Sequence, residues 1–168
     1  MNNKSLANQT PLDELGKNAG LLLTRKGQTI AVAESSTGGL ISAALLAVPG
    51  ASNYFRAGSV VYTRKAWEVL LQSSIDTSGE TKALSEANAF RLAKTTRAQL
   101  DTDWGIGEIG AAGPKGTHYG DPAGLSCIAV VGPGIERSIT LQTGQDNRAA
   151  NMWAFTQAAL NLLEDLLK

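Results

Sequence analysis

The run TIAVA, Thr29 to Ala33, followed at once by ESSTGG, limits the fold more than any other stretch of this chain. The run is continuously apolar and partly β-branched, with no alternation. A strand of that kind is covered on both faces, which places it in a parallel sheet between helical layers. The helical segment LISAALLAV (Leu40 to Val48) follows, closed by Pro49-Gly50, so a strand, a hydroxyl- and glycine-rich turn and a helix form one unit.

The same grammar continues along the chain. Leu12, Leu15, Leu21, Leu22 and Leu23 recur at near-helical spacing after Pro11 and predict a first helix over about 11–26. SVVY (Ser59 to Tyr62) reads as a strand and KAWEVLLQ (Lys65 to Gln72) as a helix, with a Ser-, Thr- and Gly-rich loop running to Lys82. Ser85-Glu86 opens a long helix to about Leu100, and WGIGEIG (Trp104 to Gly110) is a glycine-diluted strand entering a glycine loop. LSCIAVV (Leu125 to Val131) and SITLQT (Ser138 to Thr143) make a hairpin around Gly132, Pro133 and Gly134, before a last helix from about Asn147 to Leu167. Helices and strands alternate first and two strands then follow in sequence, which predicts an α/β layered sheet, mostly parallel with an antiparallel edge.

A length of 168 residues, without internal repeat or linker, fits one domain whose first ten residues, polar and Asn-rich, form a frayed tail. Fifteen basic and fifteen acidic residues give zero net charge, so there is no global field or basic stripe for nucleic acid. One cysteine, Cys127, and one histidine, His118, leave no basis for a disulfide or a structural zinc site. No apolar run approaches the roughly 18 residues of a membrane span, and the start of the chain has no signal core, so the expected location is cytoplasmic. The charged fraction of 18% is below the roughly 25% of soluble chains, which points to a surface partly covered by partner subunits.

Polar residues stand where such a sheet places its site, at the carboxyl ends of strands. Glu34-Ser35-Ser36-Thr37-Gly38-Gly39 supplies hydroxyls that can cap a helix and glycines that let a ligand approach. Its N–H groups suit a phosphate or carboxylate, although a capped helix with a tight turn would need the same residues. The loop from Gly110 through Gly113, Pro114, Lys115 and Gly116 to Gly124 is rich in glycine, and Tyr62 to Lys65 and Gly144 to Arg148 are further polar ends. Each could equally be a surface turn or a capped helix.

AESSTGG, PGAS (Pro49 to Ser52), GSVVY (Gly58 to Tyr62), Leu84-Ser85-Glu86 and GAAGP (Gly110 to Pro114) together resemble the carboxy-terminal CinA domain, in order and spacing, over about residues 11–167. That family includes the stand-alone nicotinamide-nucleotide amidases. The resemblance implies a three-layer α/β/α domain that often self-associates, and hydrolysis of the carboxamide of nicotinamide mononucleotide to nicotinate mononucleotide and ammonia. It implies no cofactor. By the same resemblance the nucleophile falls on Ser35, Ser36 takes the usual cysteine position, and Thr37, Gly38 and Gly39 face a phosphate or an oxyanion. Tyr62 matches the tyrosine that ends the next strand, Gly110, Gly113 and Pro114 match the glycine loop, and Arg148 stands in for a displaced arginine.

One departure is large. The lysine that serves the family as general base falls on Trp67, whose indole nitrogen only donates. Lys65, two positions earlier, is turned roughly 200° away on a helix, so it could serve only in an irregular segment, and Glu34 is the other nearby acceptor. Two readings therefore stand side by side: an amidase with Ser35 as nucleophile and Lys65 or another base recruited, and a catalytically weak relative that binds a nucleotide or small anion. A scaffold without ligand is a third. His118 reads as a residue of the loop surface.

Overall fold

The computed structural model describes residues 10–78 and 82–168. Most of the expected frayed tail, residues 1–9, lies outside the described residues, as do residues 79–81 of the loop before Lys82. The elements run α1 (Leu12–Lys26), β1 (Ile30–Glu34), α2 (Leu40–Leu46), a 3-10 turn (Ala51–Asn53), β2 (Phe55–Val60), α3 (Arg64–Leu70), α4 (Glu86–Gln99), β3 (Trp104–Ala111), β4 (Leu125–Gly132), β5 (Ile135–Gln142) and α5 (Arg148–Leu167). Helices α3, α4 and α5 start where hydroxyl or amide side chains take up free N–H groups. Thr63 accepts from the Ala66 N–H at 3.1 Å, Ser85 from Asn88 at 3.3 Å and Asn147 from Ala150 at 3.1 Å.

The five strands form one sheet in the order β2-β1-β3-β4-β5. β1 pairs in parallel with β2 and β3, and β3-β4-β5 are antiparallel. This is the α/β fold expected, parallel at one end with an antiparallel edge. All five residues of β1 are buried, as a strand covered on both faces requires.

Period-two alternation splits the interior into two cores. Val32, Ile106, Ile128 and Val130 meet α1, α2 and α5 through Leu15, Leu23, Ile41, Leu45, Leu160 and Leu163. Ala33, Ile109, Ala129 and Val131 meet α3 and α4 through Trp67, Leu71, Ala89 and Leu92. Each fully buried large apolar side chain contributes roughly 1.5–3 kcal/mol. The glycines that dilute β3 have a packing reason. A Cβ on Gly107 would come within 2.0 Å of the Ala89 carbonyl oxygen, so only a bare strand lets α4 lie this close. Glu86, in the first turn of α4, fastens that helix to the far edge by accepting from Ser138 at 2.5 Å and Thr140 at 2.6 Å on β5. Those hydroxyls hold its carboxyl below the usual carboxylate range.

The sequence reading starts β2 at Ser59, whereas the strand begins at Phe55. Its residues alternate between half-buried and exposed along an open edge, and Arg56 and Gly58 disguise the first half. Because β1, β2 and β3 run the same way, the segments that follow them emerge at one rim of the sheet. The site is assembled there.

Candidate active site

At the end of β1 the chain turns through Ser35–Gly39 into α2. Gly39 precedes the helix with φ of 100°, a conformation that side chains resist and glycine accepts. Two buried carboxylates organise this turn. Glu34, wholly buried, accepts from the Ile41 N–H at 3.1 Å, the Ser42 N–H at 3.0 Å, and the hydroxyls of Ser42 and Thr37 at 2.6 Å each. Its charge thus sits at the positive end of α2.

Glu108 reaches in from the neighbouring strand β3. It accepts from the Ser35 N–H at 3.0 Å, the Thr37 N–H at 3.1 Å, the Ser126 hydroxyl at 2.8 Å and the Ser36 hydroxyl. Burial pushes the Glu108 carboxyl above its ordinary value, against the opposing pull of these donors.

These bonds correct one expectation. The N–H groups at this helix start are not free for a phosphate, because Glu34 and Glu108 have taken them. The Gly38 N–H is also committed, to the Ser35 carbonyl oxygen at 3.2 Å. Among the described residues, the Ser36 N–H is the one of residues 35–38 that meets no acceptor.

In front of the turn lies a cavity of about 380 Å³. Ser35 and Ser36 line it from the turn after β1, Tyr62, Arg64 and Trp67 from the end of β2 and α3, and Gly110, Ala111 and Gly113 from the end of β3. Lys115, His118, Tyr119 and Arg148 add further polar and charged side chains to the wall, and among the described residues no Asp or Glu is part of it. Arg148 donates to the Gly113 carbonyl at 2.8 Å and to the Tyr62 hydroxyl at 3.2 Å, while Arg64 donates to the Tyr119 hydroxyl at 3.0 Å. None of the ion pairs among the described residues includes Arg64, Lys115 or Arg148. Three cations without carboxylate partners among the described residues give the hollow a positively charged wall.

Of the residues singled out from sequence, Ser35, Ser36, Tyr62, Gly110, Gly113 and Arg148 come together on this wall. Glu34, Thr37, Gly38 and Gly39 are not part of its lining, and Pro114 is exposed outside it. Lys65 is also outside: its side chain is 79% exposed and pairs with Glu68 at 3.5 Å. α3 is regular here, so the two-residue offset turns Lys65 to solvent. Glu34 likewise has its oxygens on α2 and Thr37, not on Ser35.

Trp67 is 1% exposed, lines the cavity, and donates its indole N–H to the Val61 carbonyl at 2.9 Å. Among the described residues, nothing in the protein hydrogen-bonds the Ser35 hydroxyl. Sequence reasoning missed Arg64, Lys115 and Glu108. A carboxylate between Gly107 and Ile109, in a strand read as buried, was the signal for the last of these.

Comparison with known proteins places this architecture. The family profile described as the CinA C-terminal domain matches residues 12–167. The chain is 40% identical over 152 residues to a CinA-like protein of Gloeobacter violaceus, covering 90% of this chain and 36% of that one. It is 37% identical over 147 residues to a CinA-like protein of Desulforapulum autotrophicum, covering 86% of this chain and 34% of that protein. It thus spans about a third of the length of these relatives. The crystal structure of a competence-damaged (CinA) superfamily protein from Klebsiella pneumoniae superposes with a TM-score of 0.86 at 26% identity, covering 94% of this chain and 98% of that one. One from Enterobacter cloacae gives 0.86 at 28%, covering 100% and 99%.

Proposed function

This chain belongs to the CinA C-terminal domain family, and from that premise we propose that it is an amidohydrolase of the nicotinamide-mononucleotide type, slowed by Trp67 at the position of the family lysine. The observation that carries this reading is the placement of Ser35 on the wall of a cavity that holds Arg64, Lys115 and Arg148 and, among the described residues, no carboxylate. A nucleotide phosphate binds the cations, and the carboxamide lies toward Ser35. The Ser35 Oγ attacks the carboxamide carbon as its proton leaves to a base. The Ser36 N–H receives the charge that grows on the carbonyl oxygen. The base passes that proton to the amide nitrogen, the C–N bond breaks and ammonia departs, and water then releases the acid from the Ser35 ester.

The weak step is the first proton transfer. A serine hydroxyl without a base in reach is a poor nucleophile near neutral pH, and the Trp67 N–H already belongs to Val61. That commitment favours the second reading, a relative that binds its anion and barely turns it over. Ammonia release from nicotinamide mononucleotide, followed by a coupled assay, separates the two. Trp67→Lys is expected to raise the rate on the order of 10²-fold, the lower end of what a placed general base contributes. The variant gives up a buried aromatic worth about 3–5 kcal/mol, so the assay is run well below its melting temperature. A folded Trp67→Lys protein with no gain in rate would remove the lost base as the explanation.

A further inference from the structure

We propose that His118, the only histidine in the chain, is the general base that serves Ser35 in this protein. The inference rests on the reading of Ser35 as a nucleophile and adds the residue that reading lacks. Ser35 and His118 line the same cavity. Among the described residues, the other ionisable side chains on that wall are Tyr62, Arg64, Lys115, Tyr119 and Arg148. A guanidinium never gives up its proton, and a lysine or a phenol must first lose one before it can accept. Imidazole in its neutral form carries a ring nitrogen that accepts the serine proton without first losing its own. The candidates from sequence do not compete, since Lys65 points to solvent with Glu68, and Glu34 is committed to α2 and Thr37.

The segment that carries His118 is built rather than loose. The Thr117 N–H donates to the Asp121 carbonyl at 2.8 Å, and the Thr117 hydroxyl donates to the Asp121 carboxylate at 2.8 Å. The next residue, Tyr119, has its ring centroid 3.8 Å from that of His118, and its hydroxyl is held by Arg64 of α3 at 3.0 Å. The His118 turn is therefore tied to the helix that also supplies Trp67. Arg64, Lys115, Arg148, Tyr62 and Tyr119 line the same cavity as this imidazole, and the Asp121 carboxylate is held by Thr117 of the same turn.

A fluorophosphonate probe tests the pair without relying on the natural substrate. In the step proposed, the Ser35 Oγ–P bond forms, the P–F bond breaks, fluoride leaves, and the serine proton passes to a ring nitrogen of His118. Intact and peptide mass spectrometry are expected to find the adduct on Ser35. The rate should rise with pH, because only the neutral imidazole can accept the serine proton. His118→Gln should slow it at least tenfold and flatten the profile, and free imidazole should restore part of the rate to a His118→Gly variant. Labelling of His118→Gln at the wild-type rate would overturn the proposal. So would an unlabelled Ser35 in a protein whose melting temperature nicotinamide mononucleotide still raises, a result that leaves the anion cavity standing. No labelling and no thermal shift would remove the cavity reading together with the base.

Discussion

Ser35→Ala is expected to bring ammonia release from nicotinamide mononucleotide down to the uncatalysed background while leaving the fold and the ligand-induced thermal shift intact. Removing the nucleophile of such a unit costs at least about 10³-fold in turnover. The stability cost should be small, within about 0.5 kcal/mol, because the lost hydroxyl has no protein partner among the described residues. The substitution thus separates chemistry from binding. Residual hydrolysis at the wild-type rate in this variant would rule out an acyl-serine route. Loss of the thermal shift would mean that the serine oxygen itself holds the ligand.

The second large effect falls on stability. Glu108→Ala leaves the N–H groups of Ser35 and Thr37 and the hydroxyls of Ser36 and Ser126 without the acceptor they share. An abandoned buried donor costs about 1–3 kcal/mol. Since hydroxyls can rotate away and N–H groups cannot, the expected loss is about 4 kcal/mol, read from urea unfolding. Glu108→Gln should lose far less. Its carbonyl oxygen can face the two N–H groups, and its amide can donate to the two hydroxyls, which turn to accept.

The pH dependence has a definite sign. Burial raises the Glu108 carboxyl in the folded state, so its contribution to stability is fully present below the ordinary carboxylate range. It is lost as pH rises through the raised value. Glu108→Gln removes that slope, and its deficit relative to wild type should therefore shrink between pH 5 and pH 8. A deficit that grows with pH would mean the carboxylate is stabilised, not penalised, by its setting.

Much of the fold was legible because it depends on local pattern. TIAVA announced a strand covered on both sides, and all of β1 is buried. The helical offset that turned Lys65 away from Trp67 is what the structure has, with Lys65 in solvent and Trp67 inside. Where pattern is diluted, reading failed. β2 is an edge strand whose first half carries Arg56 and Gly58, so nothing in its composition insisted on a strand.

The site was half legible. Ser35, Tyr62, Gly110 and Arg148 lie far apart in the chain and were brought together by the family motif, and the structure gathers them on one wall. What spacing could not show was the fate of the turn's N–H groups. The sequence suggested an open anion-binding helix start, and two carboxylates of the protein's own close it. Glu108 serves Ser35 across 73 residues, a partnership that only the register of β1 beside β3 creates. That Arg64 and Lys115 join Arg148 in one positive wall was hidden for a similar reason, because the three converge from α3, a loop and α5.

The most direct test of the anion-receiving cavity beside Ser35 compares two ligands that differ by one phosphate. Thermal unfolding is measured with nicotinamide mononucleotide and with nicotinamide riboside at equal millimolar concentration, for the wild-type protein and for Arg148→Ala. The mononucleotide should raise the wild-type melting temperature by several degrees, the riboside by little, and Arg148→Ala should lose most of the difference. Equal shifts from both ligands, or a mononucleotide shift untouched by Arg148→Ala, would contradict the account.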